Sequence, residues 1–180
     1  MKLFLILCLI FFLPNSALSF YEFQNFIEKK SKKQTNCAYC HSHPNGPEGN
    51  ESGQLGSLTP EEKELTAYNQ YLKGEKLQSD SPILNDFGNY LVKKLTYENI
   101  LKAQENPNIL VKRLKKSDFD KDGITDSEEL LEGTLPNDKL DGNPLKLFAS
   151  NFRKNCIEIC FQIIVSIALI LSMIKLKSLL

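Results

Sequence analysis

This chain has no tryptophan, and among its 180 residues only two histidines, two methionines and five cysteines. Glycine and proline are ordinary in number, at nine and eight, which excludes collagen-like and low-complexity designs. No sign of charge predominates. The 22 Lys and Arg residues balance 22 Asp and Glu, so nothing electrostatic argues for nucleic acid or for an acidic partner of the whole chain. No segment repeats at a solenoid period. No run alternates apolar and polar residues as a half-buried strand does, so the expected class is all-α. The length suits one small domain with appendages rather than two full domains.

The scarce residues meet in one place. Cys37-Ala38-Tyr39-Cys40-His41 has the C-x-x-C-H spacing of covalent haem attachment. Two thiols three residues apart can each add across one of two neighbouring vinyl groups. The next residue, His41, then lies under the iron with an imidazole nitrogen to offer as proximal ligand. Two other uses of these residues stay open at this point. One is a C-x-x-C disulfide with a chance His beside it. The other is a zinc site from Cys37, Cys40, His41 and His43, although four ligands so close together leave little chain to wrap a tetrahedron, and no second ligand pair follows.

A second constellation runs from Asp118 to Glu129. Its order, D-x-D-x-D-G-x-x-D-x-x-E, is that of the twelve-residue calcium loop. Asp118, Asp120 and Asp122 offer oxygens from one side, and Gly123 permits the sharp turn. Ile124 offers its backbone carbonyl, Asp126 acts directly or through water, and Glu129 closes the site with two oxygens. Thr125 stands where paired intracellular loops carry a branched apolar residue. With Glu128-Glu129-Leu130 and Gly133-Thr134-x-Pro136, the segment looks more like the exported dockerin or thrombospondin-type calcium repeats. A lone exported site suggests a structural clamp rather than a sensor. The other reading of the stretch is an acidic, solvated turn before a helix.

The haem motif resembles that of the cytochrome c superfamily. More narrowly, C-x-x-C-H followed by Pro44-Asn45-Gly46, then Asn85-Asp86-Phe87-Gly88, then the acidic loop resembles a group of bacterial exported single-haem proteins. The resemblance covers roughly residues 37 to 136 and departs from the pattern over Glu51 to Ser81, which is long and polar. It implies a small cytochrome c-like helical domain with haem c held by Cys37 and Cys40, ligated by His41, and serving redox partner proteins.

The ends of the chain read as transport and attachment signals. Lys2 and the apolar run Leu3 to Leu13, broken by Pro14, with small residues at Ala17 and Ser19, read as a signal peptide over residues 1–19. Cys8 falls within it. The alternative is a retained N-terminal anchor, for which the run is short. The mature domain then spans residues 20–136. Phe20, Tyr21, Phe23, Phe26 and Ile27 recur at helical spacing, and Lys29, Lys30, Lys32 and Lys33 form a basic cluster that offers either a solvated face or a docking face for an acidic redox partner. Thr59-Pro60-Glu61-Glu62 reads as a capped helix start, with Leu65, Tyr68 and Leu72 on its apolar face. Ser81-Pro82 is expected to start another helix, with Leu84, Phe87, Leu91 and Leu95 as its stripe. Asn106-Pro107 opens one carrying Ile109, Leu110 and Leu114. Residues 137–155 read as a linker and 156–174 as a transmembrane helix near the minimum spanning length, with 175–180 as a cytoplasmic tail. Cys156 and Cys160 lie one helical turn apart at its edge, either inert or lipidated. A buried hairpin helix and a processed sorting tail are the alternatives for this segment.

Together these readings predict a c-type cytochrome tethered to the periplasmic face of a bacterial cytoplasmic membrane. It would carry single electrons, with calcium as a structural ion. The sixth iron ligand is the gap, since the only methionines are Met1 and Met173, and a Lys, Tyr or Asn, a partner chain or an open position remains. An open sixth position would suit a gas-binding or peroxidase-like protein instead. The third class is a calcium-stabilised interaction module without haem.

Overall fold

A computed structural model describes residues 21–74 and 79–177. The expected signal peptide, with Cys8, lies outside the described residues, as do residues 178–180 of the expected tail. Among the described residues there are eight α-helices and no strand, so the all-α class holds. They are α1 (Tyr21–Ser31), α2 (Pro60–Glu64), α3 (Ala67–Leu72), α4 (Asp86–Leu95), α5 (Tyr97–Glu105), α6 (Asn108–Leu114), α7 (Asp126–Glu132) and α8 (Pro144–Lys177). Short 3-10 turns occur at Cys37–Tyr39 and Leu55–Ser57.

The core forms where apolar stripes of α1, α4, α5, α6 and α7 converge. Phe87, Leu91 and Leu95 come from α4, Leu110 and Leu114 from α6, and Ile27, Ile100 and Leu130 from α1, α5 and α7. Phe87 and Leu114 are fully buried. These residues recur three or four apart on their helices, the spacing that turns them to one face. Helix α7 packs against both α1 and α6, which carries the acidic loop at its N-terminus into the body of the domain.

Three local expectations need correcting. The Thr59 capping box forms, with the Thr59 hydroxyl accepting from the Glu62 N–H and the Glu62 carboxylate accepting from the Thr59 N–H. The helix it starts nevertheless stops at Glu64 and restarts at Ala67. Leu65, Tyr68 and Leu72 are exposed, and the buried positions are Ala67 and Gln70. Tyr68 and Tyr71 turn outward to meet the Tyr97 ring, with centroids 6.2 and 5.0 Å apart. A tertiary aromatic contact thus overrides the helical stripe. Helix α4 starts at Asp86 rather than at Ser81-Pro82, because Asn85 supplies the cap, its side-chain oxygen accepting from the Gly88 N–H at 2.8 Å. Finally, the linker expected over residues 137–155 is helical from Pro144 onward. The Leu145 N–H donates to the Asn143 side chain at 3.1 Å, and proline stands at the first helical position, where its missing N–H costs nothing.

Helix α8 runs for 34 residues, or roughly 50 Å at 1.5 Å per residue. It is long and apolar enough to cross a membrane, and none of its apolar window is buried.

Candidate functional site

The Cys37–Tyr39 turn is set by Asn36, whose side-chain oxygen accepts from the Ala38 N–H at 2.9 Å. The Cys37 carbonyl accepts from the N–H groups of both Cys40 and His41. This tight turn brings Cys37, Cys40 and His41 to the wall of one cavity. Facing them are apolar side chains of α1, α4 and α5, among them Phe23, Ile27, Leu91, Val92 and Ile100. The cavity measures about 190 Å³.

Each reactive group has a definite state. Cys37 and Cys40 are free thiols. Burial raises the Cys37 pKa, and burial with the neighbouring Cys37 pushes Cys40 up to about 12. Both are therefore neutral thiols at ordinary pH. Burial holds His41 below its usual value, against the opposing bond to Ile83. Its Nδ1 lies 3.2 Å from the Ile83 carbonyl oxygen. A carbonyl only accepts, so Nδ1 carries the proton and the lone pair is on Nε2. This is the tautomer and orientation that a metal-ligating imidazole takes from a carbonyl partner. The mixed group Cys37, Cys40, His41 and His43 does not come together as a metal cage. His43 turns away, accepting at Nδ1 from the Asn45 N–H and the Gln54 amide, with Nε2 2.7 Å from Glu51. Its work is to hold the loop between Pro44 and Gln54.

The sequence segment Asn85-Asp86-Phe87-Gly88 docks onto the cysteine turn. The Asn85 N–H donates to the Cys40 carbonyl at 3.1 Å, and its side-chain amide donates to the Ala38 carbonyl at 2.6 Å. Ser42 donates its N–H to the Ile83 carbonyl. Gly88 lies so close to the turn that a Cβ there would run into the Cys40 carbonyl oxygen. The absence of a side chain at 88 is what lets α4 seat against the cysteines. Motif order alone pointed to this segment, but not to the double duty of Asn85.

The acidic loop shows a regular division of oxygens. Asp118, Asp120, Asp122 and Asp126 each spend one carboxylate oxygen on a loop N–H, those of Gly123, Asp122, Ile124 and Phe119 respectively, at 2.6–3.1 Å. The other oxygen of each is buried without a hydrogen-bond partner, and so are both oxygens of Glu129. Asp126 and Glu129 are 0% exposed. Ligand oxygens of Asp118, Asp120 and Asp122 come within 4.8 Å of one another. Buried carboxylate oxygens without donors are costly. Burial, and after it Asp120, Asp122, Asp126 and Asp118, push the Glu129 carboxyl up to about 9. The oxygens of Asp118, Asp120 and Asp122 converge, and Asp126 and Glu129 add three buried oxygens without partners in the same loop and the helix leaving it, carboxylate chemistry suited to a hard cation such as calcium. Ile124, expected to lend its carbonyl, is buried in the same loop.

Sequence reasoning missed how the two constellations join. Phe119, the second residue of the acidic loop, packs edge-on against Phe87 at 5.6 Å and against Tyr90 at 4.9 Å. A lone aromatic inside an acidic loop was the available signal. Comparison of the chain with models of protein families, with curated proteins and with solved structures finds no match.

Proposed function

We propose that this protein is a monohaem c-type electron carrier, held at a membrane by α8 and stiffened by one calcium ion. The observation that carries the reading is the cavity on which Cys37, Cys40 and an oriented His41 all open. The thiols would hold the haem through thioether bonds, and His41 would give Nε2 to the iron. When bound, the haem would supply a one-electron couple. The chain's own part is to seat the ring, exclude water with α1, α4 and α5, and fix the His41 tautomer through Ile83. The cavity is smaller than those that swallow a drug-sized ligand whole, so Cys37 and Cys40 would hold the haem at the wall of an open site, within reach of a redox protein. Export to the periplasmic face belongs to the same proposal, resting on the sequence of residues 1–19.

The second reading, a gas-binding or peroxidase-like protein, is favoured by one observation. Among the described residues, the cavity lining contains no Met, no Lys and no histidine besides His41, which leaves Tyr39, Tyr68 and Tyr97 as its larger oxygen-bearing side chains.

The deciding experiment is haem staining after denaturing electrophoresis, with a reduced pyridine spectrum of the holoprotein. Wild type should stain, and Cys37→Ala/Cys40→Ala should not. Staining that survives the double substitution would sink covalent attachment. Carbon monoxide then separates the two readings, since a rapid spectral change on the ferrous protein belongs to the open sixth position.

A further inference from the structure

The contacts that fasten the first turns of α8 to the domain converge on the acidic loop and on the helix leaving it. The Ser150 hydroxyl donates to the Asp122 carbonyl at 2.5 Å, and the Lys154 ammonium donates to the Lys121 carbonyl at 2.7 Å. Lys146 bridges Glu128 and Glu132 of α7 at 2.9 and 2.7 Å. A Cβ on Gly123 would strike the Ser150 hydroxyl, and one on Gly142 would come within 2.9 Å of the Ile124 side chain. The two carbonyls that receive Ser150 and Lys154 belong to Asp122 and Lys121, on the same stretch of chain as the Asp120 and Asp122 carboxylates, each of which has one oxygen without a partner.

We infer that the cation-loaded acidic loop is a clasp for the apolar helix: calcium holds the carbonyls of Lys121 and Asp122 where Ser150 and Lys154 grip them. This rests on the calcium reading given above. Without a cation, the carboxylates of the loop aspartates, Asp118, Asp120 and Asp122 closest together, repel one another. The loop then opens, and the two carbonyls leave their places under α8. With the ion bound, the domain rides stiffly on the helix. Without it, the domain swings about the turn at Asp138 to Asn143. Binding free energies are reciprocal, so a helix that docks better on the loaded loop must also tighten the ion.

Reciprocity gives the test, on the full chain in phospholipid nanodiscs. Titration calorimetry with calcium chloride compares wild type with Ser150→Leu, whose side chain overfills the contact with Gly123 without changing a charge. Lys154 is left in place, because removing a positive charge beside the loop would tighten a cation by itself. The calcium Kd of Ser150→Leu should be about tenfold weaker, although Ser150 is not a ligand. Hydrogen exchange on wild type is the second arm. Amides of residues 144–154 should exchange about tenfold faster in chelator than in calcium, with residues 157–176 unchanged. An unchanged Kd, or exchange indifferent to calcium, overturns the clasp and leaves the calcium site standing. A wild type that takes up no calcium at all overturns both.

Discussion

Single residues carry the chemistry here because their neighbours leave them no alternative, and Glu129 is the sharpest case. Its two oxygens are buried without a donor and its carboxyl is pushed up to about 9 from 4.5, first by burial and then by the loop aspartates. In chelator, the folded state keeps a proton on Glu129 that the unfolded chain releases near its ordinary pKa. The unfolded state therefore binds fewer protons between about pH 4.5 and 9, and stability falls as pH rises through that window. The proposed calcium ion would take the deprotonated carboxylate, so its stabilisation would grow as pH rises. At free calcium about a hundredfold above Kd the gain is about 2.7 kcal/mol, on the order of 10 °C in Tm for a domain of this size. Calorimetric scans at pH 5 and pH 8 should show Tm falling with pH in chelator and not in calcium. Glu129→Gln should flatten the pH dependence in chelator and abolish most of the calcium gain. A wild type whose Tm ignores both pH and calcium would contradict the assignment of these oxygens.

At the scale of elements, the seat of α4 on the cysteine turn is the joint that the proposed haem site depends on. Asn85 caps α4 through the Gly88 N–H and, with its amide, holds the Ala38 carbonyl. Asn85→Ala loses both bonds and should cost about 2 kcal/mol, about 1 for the cap and a similar amount for the second bond. Asn85→Asp keeps the cap acceptor but cannot donate to Ala38, so urea unfolding should place it between wild type and Ala. If Asp matched wild type, the bond to Ala38 would carry no weight. Phe87→Ala, which empties the centre of the core and removes the partner of Phe119, should cost about 3–5 kcal/mol.

Much at this scale was legible in the sequence. The Thr59 capping box and the glycine turn of the acidic loop use local rules, and locally they hold. What was illegible depended on distant partners. Tyr68 and Tyr71 face Tyr97 instead of the core, and Ser150 and Lys154 look like linker residues until α8 is seen lying on the loop. Even so, Asn143-Pro144 was a readable helix start that the turn-rich composition around it concealed.

For the whole molecule, the question is how the domain stands relative to a membrane. Helix α8 divides by what it touches. Residues 144–154 lie on the acidic loop and α7, whereas nearly all the large apolar side chains from Ile157 to Leu176 are exposed. That second part spans roughly 30 Å at 1.5 Å per residue, the thickness of a hydrocarbon core. Phe148 and Phe152, stacked at 6.2 Å and also exposed, sit just before it. If α8 spans the membrane, its first three turns, fastened to the acidic loop and α7, would hold the domain rigidly beside the surface, in place of a slack tether. The full chain should sediment with membranes and resist carbonate extraction. A chain ending at Asn155 should be soluble, with its haem and its calcium affinity intact, because every contact of α8 with the domain is kept. A chain ending at Asn143 should also be soluble and haem-loaded; it loses the charges of Lys146 and Lys154 together with the Ser150 contact, so the clasp is read from Ser150→Leu and not from this truncation. Should the chain ending at Asn155 still sediment with membranes, the anchor lies elsewhere. Should it unfold or lose haem, residues 156–177 belong to the domain and the spanning assignment fails.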